Sequence, residues 1–342
     1  MRINQGDDYY LFRSRKSVME SIAKLMERTN RRYYPERGKH IYQDFKTFAA
    51  SARLGKACAL EFLESAGNTE GELRVYEFGV GDGSFAKKFL ENINRIDHSV
   101  GKRVVYTLWD ISRKMLDASE EKLREYAIES VCAPAEEAEK MGSALWIRGN
   151  EILDDIPARV FVKEKGKIYE VGWNNGEFAA WEQPRAPAVA MERMENIPEG
   201  YWVPVNIEAI GLVEKWKGKL ADGGGLSLFE YGFYGTEEIE ALTSEIWNSS
   251  VVRKYGEQYT VDVDFGWLEK KCRGSVEAQD GFVERVLGRK LFSVELEKLD
   301  YMEAAEIEGE AKKLEKEGYD IELLKRGAEK NPFYHYLFKK SD

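Results

Sequence analysis

The chain has 342 residues, 43% of them hydrophobic, which is enough for one large α/β domain with insertions or two ordinary domains, and leaves no tract polar enough to force disorder. Acidic residues number 61 against 51 basic ones, and the net charge of -10 repels nucleic acid and anionic membrane surfaces while favouring cationic or neutral partners. No apolar stretch approaches the roughly 18 residues of a membrane span, and the N-terminus lacks the apolar core of a signal peptide, so the expected location is cytoplasmic.

Val18, Ile22, Leu25 and Met26 recur at helical spacing and predict an amphipathic helix over residues 14–29. A second helix is expected over residues 45–64, with Phe48, Ala49, Ala52, Leu60 and Leu63 inward, and residues 1–70 read together as an N-terminal helical cap. The remainder, 71–342, is expected to form the main domain. From Leu73 the pattern alternates strand and helix, the mark of a parallel sheet with crossover helices. Strands are predicted over 73–78, 104–109, 128–132 and 144–148, and the helix after the first carries Phe85, Ala86, Phe89, Leu90, Ile93 and Ile96.

Between about 158 and 204 the pattern changes to short antiparallel strands at 161–164, 168–173 and 177–181, turning at Lys165-Gly166 and Asn174-Asn175-Gly176. We read this stretch as a β-rich insertion. A helix over 205–220 then leads through Asp222-Gly223-Gly224-Gly225 into a strand at 226–231. Helices follow near Thr236 and over 266–271, and a last strand at 333–339 is expected to pair antiparallel with 275–278. The acidic run 303–317 reads as a solvated helix face.

The three cysteines, Cys58, Cys132 and Cys272, are odd in number and far apart, and His40, His98 and His335 lack ligand spacing. Neither a disulfide framework, a metal site nor a histidine-built hydrolytic centre is expected. Chemistry is instead concentrated where the first strand runs into Glu77-Phe78-Gly79-Val80-Gly81-Asp82-Gly83. A glycine-rich turn between a parallel strand and a helix lets backbone approach a cofactor closely. Dinucleotide sites use Gly-x-Gly-x-x-Gly and seat a pyrophosphate on the helix N-terminus. Here Ser84 stands where that pattern wants Gly or Ala, and the carboxylate of Glu77 would repel a pyrophosphate. An acidic residue there suits a cofactor without phosphates that carries an ammonium group, namely S-adenosylmethionine. Asp110, at the tip of the second strand, is placed to accept hydrogen bonds from ribose hydroxyls in either cofactor class.

Methyl transfer from a sulfonium is an in-line displacement, so the protein has to align the nucleophile, exclude water and manage one proton. Groups at the carboxyl ends of the fourth and fifth strands face that position: Asn150, Glu151, Asp154 and Asp155, then Glu230, Tyr231 and Gly232. A single carboxylate in a loop is usually a solvated charge, but Asn150-Glu151 ends an apolar strand.

Together these motifs resemble the MidA-like methyltransferases, which include the mitochondrial complex I assembly factor that symmetrically dimethylates an arginine. Gln43-Asp44-Phe45-Lys46-Thr47 is similar to that family's Gly-Asp-Phe-x-Thr, Glu77 to Gly83 to its Glu-x-Gly-x-Gly-x-Gly, and Asn150-Glu151-Ile152-Leu153-Asp154-Asp155-Ile156-Pro157 to its Asn-Glu-Phe-Phe-Asp-x-x-Pro. Glu230-Tyr231-Gly232 stands for Asp-Tyr-Gly, and Tyr259-Thr260-Val261-Asp262-Val263-Asp264-Phe265 is a shortened likeness of Asp-x-Thr-x-x-Val-Asp-Phe. Order and spacing agree over about residues 33–268. The chain departs at Asp110, where the family usually has Glu, and at Phe48-Ala49-Ala50, which replaces a proline-glutamate.

The resemblance implies an α/β class I methyltransferase fold, a Rossmann-like, mostly parallel seven-stranded sheet with the helical cap and hairpin insertion added. It implies that Glu77, Gly79, Gly81, Gly83 and Asp110 bind S-adenosyl-L-methionine, and that Asn150, Glu151 and Asp154 line the reaction site. Tyr231, Asp262 and Asp264 are weaker members, since a Val-Asp-Phe turn equally caps a helix. The implied substrate is a protein arginine, with Glu151 and Asp154 to hold the cation and take its proton. Self-association stays open. Two alternatives stand beside this reading: a nicotinamide-dependent oxidoreductase, and a non-enzymatic assembly factor using Trp173, Trp181 and Trp202 of the insertion as interface anchors.

Overall fold

The computed structural model describes residues 19–38, 40, 52–67, 69–174, 176–181, 186–288, 291–293, 313, 320–322 and 333–341. The Gln43 to Thr47 motif, the start of the first predicted helix and, Lys313 apart, the acidic run 303–317 lie outside them. The strands of the main sheet are buried at its middle, where apolar residues on both faces need cover on both sides, and partly exposed at its two edges. They are β1 (Leu73–Phe78), β2 (Val104–Asp110), β3 (Ile128–Cys132), β4 (Ala144–Asn150), β5 (Leu220–Phe233), β6 (Ser275–Ala278) and β7 (Phe333–Lys339).

Their order across the sheet is β3-β2-β1-β4-β5-β7-β6. The first five are mutually parallel, whereas β7 runs antiparallel to both β5 and β6. The expected pairing of the last strand is present, with Ser275 opposite Leu337 and Ala278 opposite Tyr334. A two-residue strand, Val263–Asp264, extends the sheet beside the end of β5 as an eighth member. Chain order reverses between β1 and β4, and the crevice at such a switch point is where open α/β sheets bind ligands.

Helices α2 (Ala52–Ala66), α3 (Ser84–Ile96) and α7 (Gln279–Leu287) share a core with one face of this sheet, built on Phe62, Phe89, Trp146, Phe229 and Phe282. Helices α5 (Ile207–Lys217) and α6 (Phe265–Cys272) serve a second core, where Phe78 stacks on Trp216 with ring centroids 4.5 Å apart. The insertion forms a separate antiparallel sheet from Arg159–Glu164, Lys167–Asn174, Glu177–Ala180 and Trp202–Val205.

Helix α1 (Ile22–Arg37) belongs with that insertion. Ile22, Leu25 and Met26 pack among Val160, Phe161, Val171 and Val203, and the two residues before the helix, Glu20 and Ser21, pair with Trp173 and Gly172 as an added strand. The two N-terminal helices therefore do not form one cap: α2 covers the main sheet and α1 the insertion sheet. Helical periodicity shows that a helix has an apolar face, not which layer that face will meet. Trp173 and Trp202 also pack inside the insertion, around Phe178. Among the described residues no helix is long and apolar enough to cross a membrane.

Candidate active site

The turn after β1 has its three glycines at positive φ, 65° at Gly79, 56° at Gly81 and 74° at Gly83. An L side chain in this left-handed region costs about 1–2 kcal/mol at each position, which is why the stretch is glycine. The turn is tied down from β2 and from α4 (Arg113–Lys122). Gly79 N–H donates to the Trp109 carbonyl at 2.8 Å, Gly81 N–H to Asp110 Oδ2 at 3.2 Å, and the Ser119 hydroxyl to the Gly81 carbonyl at 2.8 Å. A Cβ on Gly83 would lie 3.0 Å from that of Ser119, so this glycine also lets α3 begin close against α4.

Asp82 secures the start of α3. Its carboxylate accepts the Ser84 N–H at 3.0 Å and the Ser84 hydroxyl at 2.9 Å, and pairs with Lys122 at 2.5 Å. Burial pushes this acid up, but Lys122 and Ser84 outweigh it and hold it below the usual carboxylate range. Ser84, a mismatch to the dinucleotide pattern, thus has its own task. Asp110 accepts the Ser112 N–H at 2.8 Å with its other oxygen, and its burial raises the carboxyl to about 6 against the pull of the two amides. Lone pairs remain on both oxygens for ribose hydroxyls. Backbone kept free of side chains beside an acid that accepts hydroxyls fits a nucleoside cofactor.

Glu77 is seated differently from the expected ammonium ligand. Its carboxylate, 2% exposed, accepts the Tyr106 hydroxyl and pairs with the Arg148 guanidinium at 3.3 Å inside the layer between sheet and α3. The sequence spacing could not show this, because Arg148 reaches Glu77 only through the pairing of β1 with β4.

At the carboxyl end of β4, the Asn150 amide donates to Glu151 Oε1 at 2.9 Å. Glu151 has φ 52°, and its N–H donates to the Phe229 carbonyl of β5 at 2.9 Å. The next two amides, of Ile152 and Leu153, both donate to Glu230 Oε1, the second at 2.6 Å. This holds Glu230 buried beside Asp154, within reach of its charge. Burial and the charge of Asp154 push the Glu230 carboxyl well above its ordinary value, and burial raises Asp154 to about 6 although Arg253 pulls it down. Burial and the neighbouring charge thus favour the protonated form of Glu230.

Asp155 is closed over by α1. It accepts the Tyr34 hydroxyl and, at 3.4 Å, the Asn30 amide, and burial with the charge of Asp154 raises its carboxyl. Arg253 pairs with Asp262 and lies 5.1 Å above the Tyr231 ring. Asp264 stands apart: it caps α6 through the Trp267 N–H at 3.0 Å and pairs with Arg193. The structure therefore joins the glycine turn to Asp110, and Asn150 and Glu151 to Asp154 and Glu230. The sequence reading gave no site role to Arg253, Asn30 or Tyr34; Asn30 and Tyr34 lie on α1 just past the expected helix end at residue 29, and their only signal was polarity. Among the described residues no group of His, Cys, Asp and Glu is arranged to hold a metal ion.

Residues 54–276 match the model of a protein family described as "Putative S-adenosyl-L-methionine-dependent methyltransferase". The chain belongs to this family. Two solved structures from Burkholderia thailandensis share its fold. One, an uncharacterized protein, is 19% identical with a TM-score of 0.65, covering 94% of this chain and 87% of its own. The other, a member of the same superfamily bound to S-adenosyl-homocysteine, is 19% identical with a TM-score of 0.64, covering 94% of this chain and 88% of its own. No curated protein matches the sequence.

The protein is thus an S-adenosylmethionine-dependent methyltransferase of class I fold, and the choice left open between this cofactor and a nicotinamide dinucleotide is closed. When bound, the cofactor supplies an electrophilic methyl group on sulfur. The glycine turn and Asp110 would hold its nucleoside portion, and the carboxyl ends of β4 and β5 would receive the acceptor.

Proposed function

We propose that this methyltransferase acts on a nitrogen of a cationic protein side chain, arginine in particular, as the MidA-like resemblance implies. The observation that carries the reading is the Asp154–Glu230 pair, buried beside Glu151 where β4 and β5 end. A guanidinium keeps its proton in water, with a pKa above about 12, so an enzyme that methylates it must hold a cation and remove one proton as the N–C bond forms. In this buried pair Glu230 favours its protonated form, which leaves the Asp154 carboxylate to hold a cation and to take the proton. Acid-and-aromatic surroundings of this kind already hold one guanidinium, that of Arg253 between Asp262 and Tyr231.

The test is incubation of the protein with methyl-labelled S-adenosylmethionine and a library of arginine- and lysine-containing peptides, followed by hydrolysis and amino-acid analysis. Label in methylarginine supports the reading. Label on oxygen, carbon or sulfur acceptors, or none in peptides while a small-molecule extract is labelled, removes it.

A further inference from the structure

Beneath the glycine turn lies a buried charge pair that the cofactor chemistry does not call for. Glu77 and Arg148 stand directly opposite one another on β1 and β4, and Arg148 Nε lies 3.3 Å from Glu77 Oε2, both side chains almost wholly enclosed. The guanidinium sits over two rings of α3, with its carbon 3.8 Å from the Phe85 centroid and 4.2 Å from that of Phe89. Phe85 is the second residue of the helix that the glycine turn releases. The two Nη atoms of Arg148 are buried, and among the described residues Glu77 is the carboxylate paired with the guanidinium. On the other side the Tyr106 hydroxyl donates to Glu77 from β2. Strands β2, β1 and β4 and helix α3 are thus pinned together under the turn by one Tyr–Glu–Arg chain.

We propose that Glu77 is the counter-ion of Arg148, and that it governs cofactor affinity by keeping this cation under the glycine turn and not by contact with the cofactor. A buried charge left without its partner is strongly unfavourable, whereas removing both charges together is often tolerated. Neutralising Glu77 alone should force Arg148 away from its place against Phe85 and Phe89 and disturb the start of α3. A cofactor ligand would behave otherwise, because its loss could not be repaired from β4.

The experiment is a double-mutant cycle of Glu77→Gln and Arg148→Met, read by calorimetric titration with S-adenosylhomocysteine and by thermal melting of the cofactor-free protein. Glu77→Gln is expected to lower the melting temperature and to weaken binding about tenfold, within the coupling typical of contacting residues. The double variant is expected to recover both, with binding within about threefold of the wild type. If Glu77→Gln alone does not fold, recovery of folded, binding-competent protein in the double variant is the same rescue. Weakened binding by Glu77→Gln with an unchanged melting temperature, or a double variant that binds no better than Glu77→Gln or stays unfolded, overturns the proposal.

Discussion

Asn150 donates a side-chain hydrogen bond to Glu151 across 2.9 Å, and the residue it steadies has φ 52°. The other non-glycine residues at positive φ among those described are Lys165, in a hairpin turn, and Arg273, at the end of α6, where such geometry is ordinary. Glu151 has no such local reason. Strain of this kind persists where the surroundings impose it, here the clamp of Phe229 and Glu230 on the loop after β4.

Glu151→Gly should therefore leave the fold intact and raise stability by up to about 1 kcal/mol, since glycine removes the backbone strain at some entropic cost. Glu151→Gln should keep both the fold and cofactor affinity while turnover drops at least about a hundredfold, because it removes a carboxylate that holds the cationic acceptor in line for the methyl group. Thermal melting, calorimetric titration and a methyl-transfer assay separate the two variants. Unchanged turnover in Glu151→Gln would take the residue out of the mechanism.

Gly81→Val places a branched side chain at φ 56° in the turn whose amide Asp110 accepts. The backbone strain costs about 1–2 kcal/mol, and the added bulk enters the cofactor's space. Affinity for S-adenosylmethionine should fall by more than tenfold, as measured by titration. Wild-type affinity in this variant would place the cofactor elsewhere.

The acids Asp110 and Asp154 are each raised from 3.8 to about 6 by burial. A raised folded-state value means that the protonated form is favoured in the native protein. The stability it contributes is complete below pH 3.8 and is lost as pH rises through about 6. The cofactor-free melting temperature is therefore expected to fall between about pH 4 and pH 6, with no further loss from these two acids above that. Asp154→Asn should flatten that slope. Turnover should follow the opposite course, rising with pH through a midpoint near 6, because the ionised Asp154 is the form that can take a proton. A flat rate profile across this window would exclude Asp154 as the proton acceptor.

Asn30 joins α1 to the site by accepting the Tyr259 N–H at 3.1 Å and donating to the Tyr259 carbonyl at 2.8 Å. Asn30→Ala leaves both of these buried backbone groups without their partner, and unfolding by urea should show a loss of about 2 kcal/mol. Tyr34→Phe, which removes the hydroxyl given to Asp155, should cost less, about 1 kcal/mol. If Asn30→Ala is neutral, α1 is not held to the Tyr259 segment as described.

The central sheet was legible because its signals are local. Apolar runs at 73–78, 104–109 and 144–148, with helical periodicity between them, specify parallel strands and crossovers, and all three strands appear with their ends shifted by two residues at most. The pairing of the last strand was legible too, since Phe333–Lys339 and Ser275–Ala278 are short β-rich segments that lay unassigned beside the core. The cap was misread because α1 and α2 have equally plain apolar faces, and nothing in a periodicity names the surface that will cover them.

The site divides along the same line. By itself the sequence determined the glycine turn, the acid at the tip of the next strand and the Asn-Glu pair after the fourth, because a left-handed turn admits little besides glycine and a strand end presents its last residues at a predictable place. Only the tertiary structure decided what the carboxylates do. Glu77 faces Arg148 because β1 pairs with β4, 71 residues further along, and the charge of Asp154 raises the Glu230 carboxyl because the loop after β4 folds back on β5. Acidity and charge depend on burial and on neighbours within a few ångströms, and those neighbours are brought together by packing alone.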